Sequence, residues 1–162
     1  MNTTIKKLRS GPLVAAATLL GLGMGGFVDG ILLHQILQWH QMISNILPPT
    51  TLMTKNINMF WDGIFHVFTW MFTLAGIILL WQLFNKPDVI KSTTVLVGGM
   101  IFGWGLFNAM DSIANHYIFK LHNVREAVPN SELWNLGFLL FAILLMILGW
   151  VIINKGRRKN MA

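Results

Sequence analysis

The sequence predicts an all-α membrane protein, a bundle of four transmembrane helices built as two tandem helical hairpins. Of its 162 residues, 54% are hydrophobic and only 11% are charged, and a soluble domain needs more charges to cover its surface. Four apolar runs each reach the roughly 20 residues that a helix needs to cross a bilayer. A pattern of polar residues also occurs twice, in residues 21–40 and 103–122, which predicts an internal repeat relating helices one and three.

The four helices are expected near residues 12–39, 59–84, 93–119 and 133–153, within a single domain that covers residues 1–162. Proline and charge signals separate the runs, and Pro12 suits a first helical position because its missing N–H would be unpaired there. The first run begins like a signal peptide but continues well past the usual apolar length. We therefore expect it to be retained as a helix.

The repeated pattern places the same polar residues at the same spacing in both copies. Each copy carries Gly-x-Gly, then Asp, then two histidines: Gly21, Gly23, Asp29, His34 and His40, and Gly103, Gly105, Asp111, His116 and His122. Small residues preceding this pattern recur as well, with Ala17 and Gly21 matched by Gly99 and Gly103. Such small residues let helix backbones approach closely in lipid, so helices one and three are expected to pack through them.

The placement of Lys and Arg predicts that both termini are cytoplasmic. Nine basic residues lie at one end of the predicted bundle and three at the other, and the positive-inside rule places the richer end in the cytoplasm. The nine are Lys6, Lys7, Arg9, Lys86, Lys91, Lys155, Arg157, Arg158 and Lys159, and the three are Lys55, Lys120 and Arg125. Because these residues sit at segment ends and are not interleaved with aromatic residues, nucleic-acid binding is not expected.

Ionisable residues inside the apolar runs mark the candidate functional site. An ionisable residue at the centre of a membrane helix costs about 2.5–3.5 kcal/mol on insertion scales, and no Lys or Arg lies at helical spacing to neutralise these groups. Helical rise predicts two layers in the extracytoplasmic half, a deeper layer of Asp29, His66 and Asp111 and an outer layer of His34, Asp62 and His116. One difficulty is that Asp29 and His34 are five residues apart, which turns them about 140° from each other on a straight α-helix. Either the helix is distorted near Gly30, or the two residues contact different neighbours.

Imidazole and carboxylate groups without any cysteine favour a transition-metal site. Such ligands suit Zn²⁺, iron or copper, and the candidate ligands are His34, His66, His116, Asp29, Asp62 and Asp111. His40, His122 and Glu132 are weaker candidates, because the two histidines are expected at or beyond the membrane interface. A hydrogen-bond network that only holds the helices together is the alternative.

Several motifs resemble a family of predicted four-helix bacterial membrane proteins catalogued as a domain of unknown function. The motifs are Gly26-Phe27-Val28-Asp29-Gly30, Leu33-His34-Gln35, Gln38-Trp39-His40, Asp62-Gly63-Ile64-Phe65-His66, Gly103-Trp104-Gly105-Leu106-Phe107-Asn108 and Leu121-His122-Asn123-Val124-Arg125. The resemblance covers the chain except its two tails. It implies a bacterial inner-membrane protein, and a link to copper-dependent cytochrome oxidase assembly factors that lie beside or are fused to some members. Ser112 and Asn123 depart from the family pattern, which tends to carry Gly and a second His at these positions.

The sequence leaves more than one function open. The first is a binding or assembly protein that holds a transition metal at the outer face for delivery to an oxidase, with an oxidase-assembly partner or a second copy of the chain (a homo-oligomer) as its expected partner. Alternatively, the chain is a membrane-embedded metal enzyme acting on a lipid or small apolar substrate, which would require a lateral opening to the layers. A haem protein with His34 and His116 as axial ligands is a third possibility, and a proton or ion conductor a fourth, although the inner half of the bundle contains no titratable residue for a full path.

Overall fold

The structure is a computed structural model that describes residues 8–159, and all the regular elements within that range are helices. Helix α1 covers Gly11–Val28 and continues as a π-helical segment, Asp29–Ile36. Helix α2 covers Leu52–Leu83, and α3 covers Thr93–Asp111 before its own π-helical segment, Ser112–Ile118. Helix α4 covers Ser131–Lys159. Lys6 and Lys7, which enter the orientation argument, lie outside the described residues.

All four helical stretches are long and apolar enough to cross a membrane, as predicted. Helix α2 begins at Leu52, earlier than the predicted 59, because Thr51 caps it. The Thr51 side chain accepts from the Thr54 backbone N–H at 3.2 Å, and the Thr54 side chain accepts from the Thr51 N–H at 3.0 Å. This reciprocal capping satisfies backbone donors that would otherwise be unpaired at the helix start.

Helices α1 and α3 form the centre of the molecule, with α2 packed on α1 and α4 packed on α3. The predicted small residues make the central contact. A Cβ atom added at Gly21 would overlap the carbonyl oxygen of Met100, and one added at Gly99 would lie 2.5 Å from the Ala17 Cβ. The predicted close approach of helices one and three through these residues is therefore confirmed.

The two ends of the bundle have cores of opposite character. At the end that carries the α2–α3 loop, the buried side chains are apolar: Leu13, Ala16, Leu83, Val89, Ile90 and Val95. Arg9 is tied to this loop by an ion pair with Asp88 at 2.6 Å. At the opposite end, which we call the histidine end, the segments 37–51 and 119–130 fold over the bundle. Buried side chains there are mainly polar, and they form the candidate site.

Candidate metal centre

The π-helical segments bring each aspartate and its following histidine onto one face. In a π-helix, backbone N–H groups donate to the carbonyl five residues earlier, as Leu37 does to Leu32 at 2.8 Å and Phe119 does to Ala114 at 2.8 Å. A spacing of five, which separates Asp29 from His34 and Asp111 from His116, therefore corresponds to about one turn. Of the two alternatives raised by the sequence, distortion of the helix near Gly30 is the one observed.

A tight turn after each π-helical segment directs the next histidine back into the bundle. Gln38 and Lys120 both adopt φ = 50°, a left-handed conformation that is uncommon for residues other than glycine. After this turn, the N–H of Trp39 donates to the Leu33 carbonyl at 2.9 Å, and that of Leu121 donates to the Asn115 carbonyl at 2.7 Å. The matching turns lead directly into His40 and His122.

His40 and His122, predicted to be weaker ligand candidates at or beyond the membrane interface, are buried inside the protein at the centre of the histidine end. Their residues are 3% and 1% exposed. His40 Nδ1 donates to the Val124 carbonyl at 2.8 Å, and His122 Nδ1 donates to the Met42 carbonyl at 2.9 Å. With Nδ1 protonated in this way, the lone pair of each ring is on Nε2. Both Nε2 atoms are buried without a hydrogen-bond partner among the described residues.

His34 is held between two aspartates. Its Nδ1 donates to Asp62 Oδ1 at 2.9 Å. Its Nε2 lies 3.2 Å from Asp29 Oδ2, close enough for an ion pair but without hydrogen-bond geometry. Asp62 Oδ1 also accepts the Met42 N–H at 2.8 Å, which connects His34 to the loop after α1.

His116 occupies the matching place in the second half but has fewer partners. Its Nε2 lies 3.3 Å from Asp111 Oδ2, and its Nδ1 has no partner in the described part of the chain. Asp111 Oδ1 accepts from the Asn115 amide at 2.7 Å and lies 3.9 Å from His122 Nε2. His116 therefore retains a free ring nitrogen that His34 lacks.

Asn135, which sequence reasoning did not identify, occupies in the second half the place that Asp62 occupies in the first. It accepts the Val124 N–H at 2.9 Å, the same contact that Asp62 makes with the Met42 N–H, and it donates to Asn123 Oδ1 at 2.8 Å. Asn135 thus stands on α4 where Asp62 stands on α2, without the charge. A polar residue near the start of the apolar run 133–153 was the signal that could have revealed Asn135.

The four central imidazoles form one cluster. The rings of His40 and His122 stack in parallel, and each also meets His34 and His116 edge to face, with centroids 4.4–6.5 Å apart. Two overlapping groups could hold an ion, since each offers ligand atoms that all lie within 4.8 Å of one another: His34, His40 and His122, and Asp111, His116 and His122. Two nitrogens bound to one ion at about 2.1 Å can be at most about 4.2 Å apart. The widest pairs would therefore contract slightly around an ion.

Two other predicted candidates lie away from the cluster. His66 donates from Nδ1 to the carbonyl of Asp62 in its own helix at 2.9 Å, and a Cβ added at Gly30 would lie 2.5 Å from its Nε2. Its Nε2 is buried without a hydrogen-bond partner among the described residues, like those of His40 and His122, but His66 belongs to neither group of possible ligands. Glu132 is exposed at the start of α4. Ser112, one of the two departures from the family pattern, is fully buried, and Asn123, the other, binds Asn135.

The pKa values of the two stacked histidines, His40 and His122, are shifted in opposite directions. Burial lowers the pKa of His40 well below its usual value, and the neighbouring His122 lowers it further. For His122, burial also acts to lower the pKa, but attraction to the Asp111 carboxylate and the hydrogen bond to the Met42 carbonyl raise it above 6.5. The His40 ring is therefore neutral at neutral pH, whereas His122 holds a proton more tightly than a free imidazole does.

These features define the class of the protein: an all-helical membrane protein with a buried cluster of histidine and aspartate side chains at one end. Residues 16–156 match the family described as "Predicted membrane protein (DUF2243)", and the chain belongs to that family. No curated protein and no solved structure matches the chain.

Proposed function

We propose that this protein binds a transition-metal ion in the histidine cluster, with His34, His40 and His122 as the first group of ligands. Asp111 and His116 form the second group, which shares His122. The observation that carries the proposal is the orientation of His40 and His122. Each ring is fixed through Nδ1 by a backbone carbonyl, which is the usual way that proteins orient a metal-binding histidine. Each leaves a buried Nε2 without a hydrogen bond, and that of His122 lies 3.9 Å from Asp111 Oδ1. A purely structural network would use these nitrogens, because an unpartnered buried polar atom is unfavourable.

The ligand chemistry favours zinc, copper or iron. Imidazole nitrogen suits these metals, whereas calcium and magnesium prefer an all-oxygen shell. The aspartates act mainly on the imidazoles: Asp62 hydrogen-bonds His34, and Asp29 lies beside the same ring. Carboxylates in this position raise the basicity of a ligating histidine and fix its orientation.

We further propose that the histidine end is extracytoplasmic, in a bacterial inner membrane, with both termini in the cytoplasm. Lys and Arg predominate at the opposite end, in accord with the positive-inside rule. The matching π-helices, turns and carbonyl contacts in the two halves support an internal repeat. A metal site on the outer side would suit acquisition or delivery of the ion, including delivery to an oxidase-assembly partner.

An enzyme acting on a lipid or small apolar substrate is the second candidate function. The cavities favour it less than they favour simple metal binding. An apolar lateral groove of about 380 Å³ lies beside the cluster, as that reading requires. Its lining reaches Phe138, which packs on His116 with centroids 5.8 Å apart, but contains no histidine. A polar cleft, described below, does reach His40.

A bis-histidine haem site fits the packing less well than a metal ion does. The predicted axial ligands, His34 and His116, both pack edge to face on the stacked rings of His40 and His122. A macrocycle between them would have to displace those two rings.

Metal retention by matched histidine variants tests the proposal. Wild type, His40→Ala, His122→Ala and His66→Ala are loaded separately with Zn²⁺ and Cu²⁺, freed of unbound ion, and analysed for metal per chain. We expect His40→Ala and His122→Ala to lose the ion and His66→Ala to retain it, since His66 lies outside both groups. Helical content and monodispersity establish that each variant is folded. Loss of metal from His66→Ala with retention in His122→Ala would contradict the proposed ligand set.

A further inference from the structure

A polar cleft opens beside the histidine cluster and is separate from the proposed ligand set except where it touches His40. Its volume is about 540 Å³, within the range of small-molecule sites. Both segments of the histidine end line it, together with the start of α2. Its charged residues are Lys55, Arg125 and Glu126, so the cleft is basic overall at neutral pH.

Arg125 is held in a fixed position in this cleft. Its guanidinium carbon lies 5.0 Å from the ring centroid of Trp39 and 5.0 Å from that of Trp134. Within residues 8–159, no carboxylate lies within ion-pair distance of it. Because the indole rings contact the guanidinium face, its N–H edges remain available. A planar, oriented guanidinium without a carboxylate partner is a strong binder of oxyanions such as phosphate.

An apolar groove adjoins the cleft at Trp39. Trp39 lines both cavities, and Trp134 lines the groove. The groove, of about 380 Å³, is otherwise formed by Leu33, Val124, Leu133, Gly137, Phe138 and Phe141. Its position between α1 and α4 makes it accessible from the side of the bundle, where lipid chains lie. The basic cleft at the end of the bundle thus adjoins the apolar groove along its side.

We propose that the cleft and groove together bind one anionic phospholipid. The phosphate of the lipid lies on Arg125, with Lys55 adding charge attraction, and one acyl chain occupies the groove between Trp134 and Phe141. Charge complementarity selects an anionic over a zwitterionic headgroup, and the groove selects a lipid over a soluble phosphate. Tryptophans favour the headgroup level of a membrane, which is where a phosphate would meet Arg125. This inference does not depend on whether the histidine cluster binds a metal.

The test measures thermal stability in detergent after addition of lipids that have the same acyl chains and differ in the headgroup. Wild type is expected to be stabilised more by phosphatidylglycerol than by phosphatidylcholine. Arg125→Gln should abolish this preference, whereas Lys120→Gln should keep it, because Lys120 is exposed at the same end but does not line the cleft. An unchanged preference in Arg125→Gln, or equal losses in both variants, would overturn the proposal.

A second pair of variants tests the acyl chain. A Cβ added at Gly137 or at Gly63 meets nothing within 4 Å, so a larger side chain at either position is compatible with the fold. Gly137→Leu should fill the groove and reduce stabilisation by phosphatidylglycerol, while Gly63→Leu on α2 should not. If Arg125→Gln does not fold, these two glycine variants still test whether the groove binds a phospholipid. Equal responses of the two glycine variants, or equal stabilisation of wild type by soluble glycerol phosphate, would show that no lipid chain is bound.

Discussion

His40 and His122 stack face to face, with ring centroids 4.4 Å apart and planes inclined by 9°. Each ring also donates a hydrogen bond across to the opposite segment, His40 to the carbonyl of Val124 and His122 to that of Met42. The two loops of the histidine end therefore hold each other's histidine in place. In consequence, the orientation of the proposed ligands is part of the packing of the fold and does not depend on a bound ion.

The first prediction concerns Asp62, whose Oδ1 accepts from both His34 and the Met42 N–H. Asp62→Asn should fold, because Asn135 makes the equivalent contact with the Val124 N–H. Its metal affinity should fall by about 10–100-fold, the usual effect of removing a group that orients a ligand. Asp62→Ala should in addition lose about 1–3 kcal/mol of stability, because the Met42 N–H is left unpaired. Competition with a chelator measures the affinity, and thermal unfolding measures the stability. Asp88→Asn, at the opposite end, is the control, and equal affinities of Asp62→Asn and wild type would contradict the role of Asp62.

The second prediction concerns the contact between α1 and α3. Gly21→Ala places a Cβ against the Met100 carbonyl, a backbone atom that cannot move without shifting α3. We expect a loss of about 1–3 kcal/mol, typical of overpacking. Gly63→Ala is the matched control, since its added Cβ has open space, and it should be neutral or slightly stabilising because alanine favours helix. Unfolding of both variants in the same detergent compares them, and equal stabilities would show that α1 and α3 do not pack through Gly21.

The third prediction is a pH dependence of stability at Glu126. Burial raises the pKa of this carboxyl above 4.5. The contribution of Glu126 to stability is therefore fully present below about pH 4.5 and is lost as the pH rises through the raised pKa. Glu126→Gln should consequently gain stability relative to wild type between about pH 4.5 and neutral pH, by less than about 1 kcal/mol because the side chain is partly solvated. Unfolding at the two pH values measures this, and a constant difference between the proteins would contradict it.

The fourth prediction is that metal binding releases a proton. The pKa of His122 is raised above 6.5, so between pH 6.5 and that raised pKa the metal-free ring holds a proton that must leave when an ion binds. Affinity should therefore fall as the pH is lowered through this range. Titration calorimetry in two buffers of different ionisation enthalpy detects the proton, and His66→Ala should release as many protons as wild type. Heats that are independent of the buffer would count against His122 as a ligand.

Much of the fold follows from the apolar runs, but the centre of the site does not. Four spans, the α1–α3 contact and the meeting of His34 with Asp62 were predictable from hydropathy, small residues and helical rise, whereas the contact of Asp29 with His34 was left open. His40 and His122 were assigned to the interface because a continuing α-helix would carry them out of the membrane. The chain instead turns back at Gln38 and Lys120, neither of which is a glycine or proline that would signal a turn.

The sequence contains a signal for the π-helical segments, but it is clear only when the two copies of the repeated pattern are compared. An Asp–His spacing of five recurs in both copies, and on an α-helix it would separate the two side chains in each. His66 was selected because helical rise places it level with Asp29 and Asp111, yet its ring turns to the carbonyl of Asp62 and to Gly30. Spacing along one helix could not determine which neighbouring helix it faces.

X-ray absorption at the edge of the metal retained by the purified protein tests the central claim most directly. We expect a first shell of at least about three nitrogen or oxygen ligands near 2.0–2.1 Å, with outer-shell scattering from more than one imidazole and no sulfur. A protein that retains no metal after loading, or a bound metal whose spectrum shows no imidazole, would contradict the assignment of the histidine cluster as a metal centre.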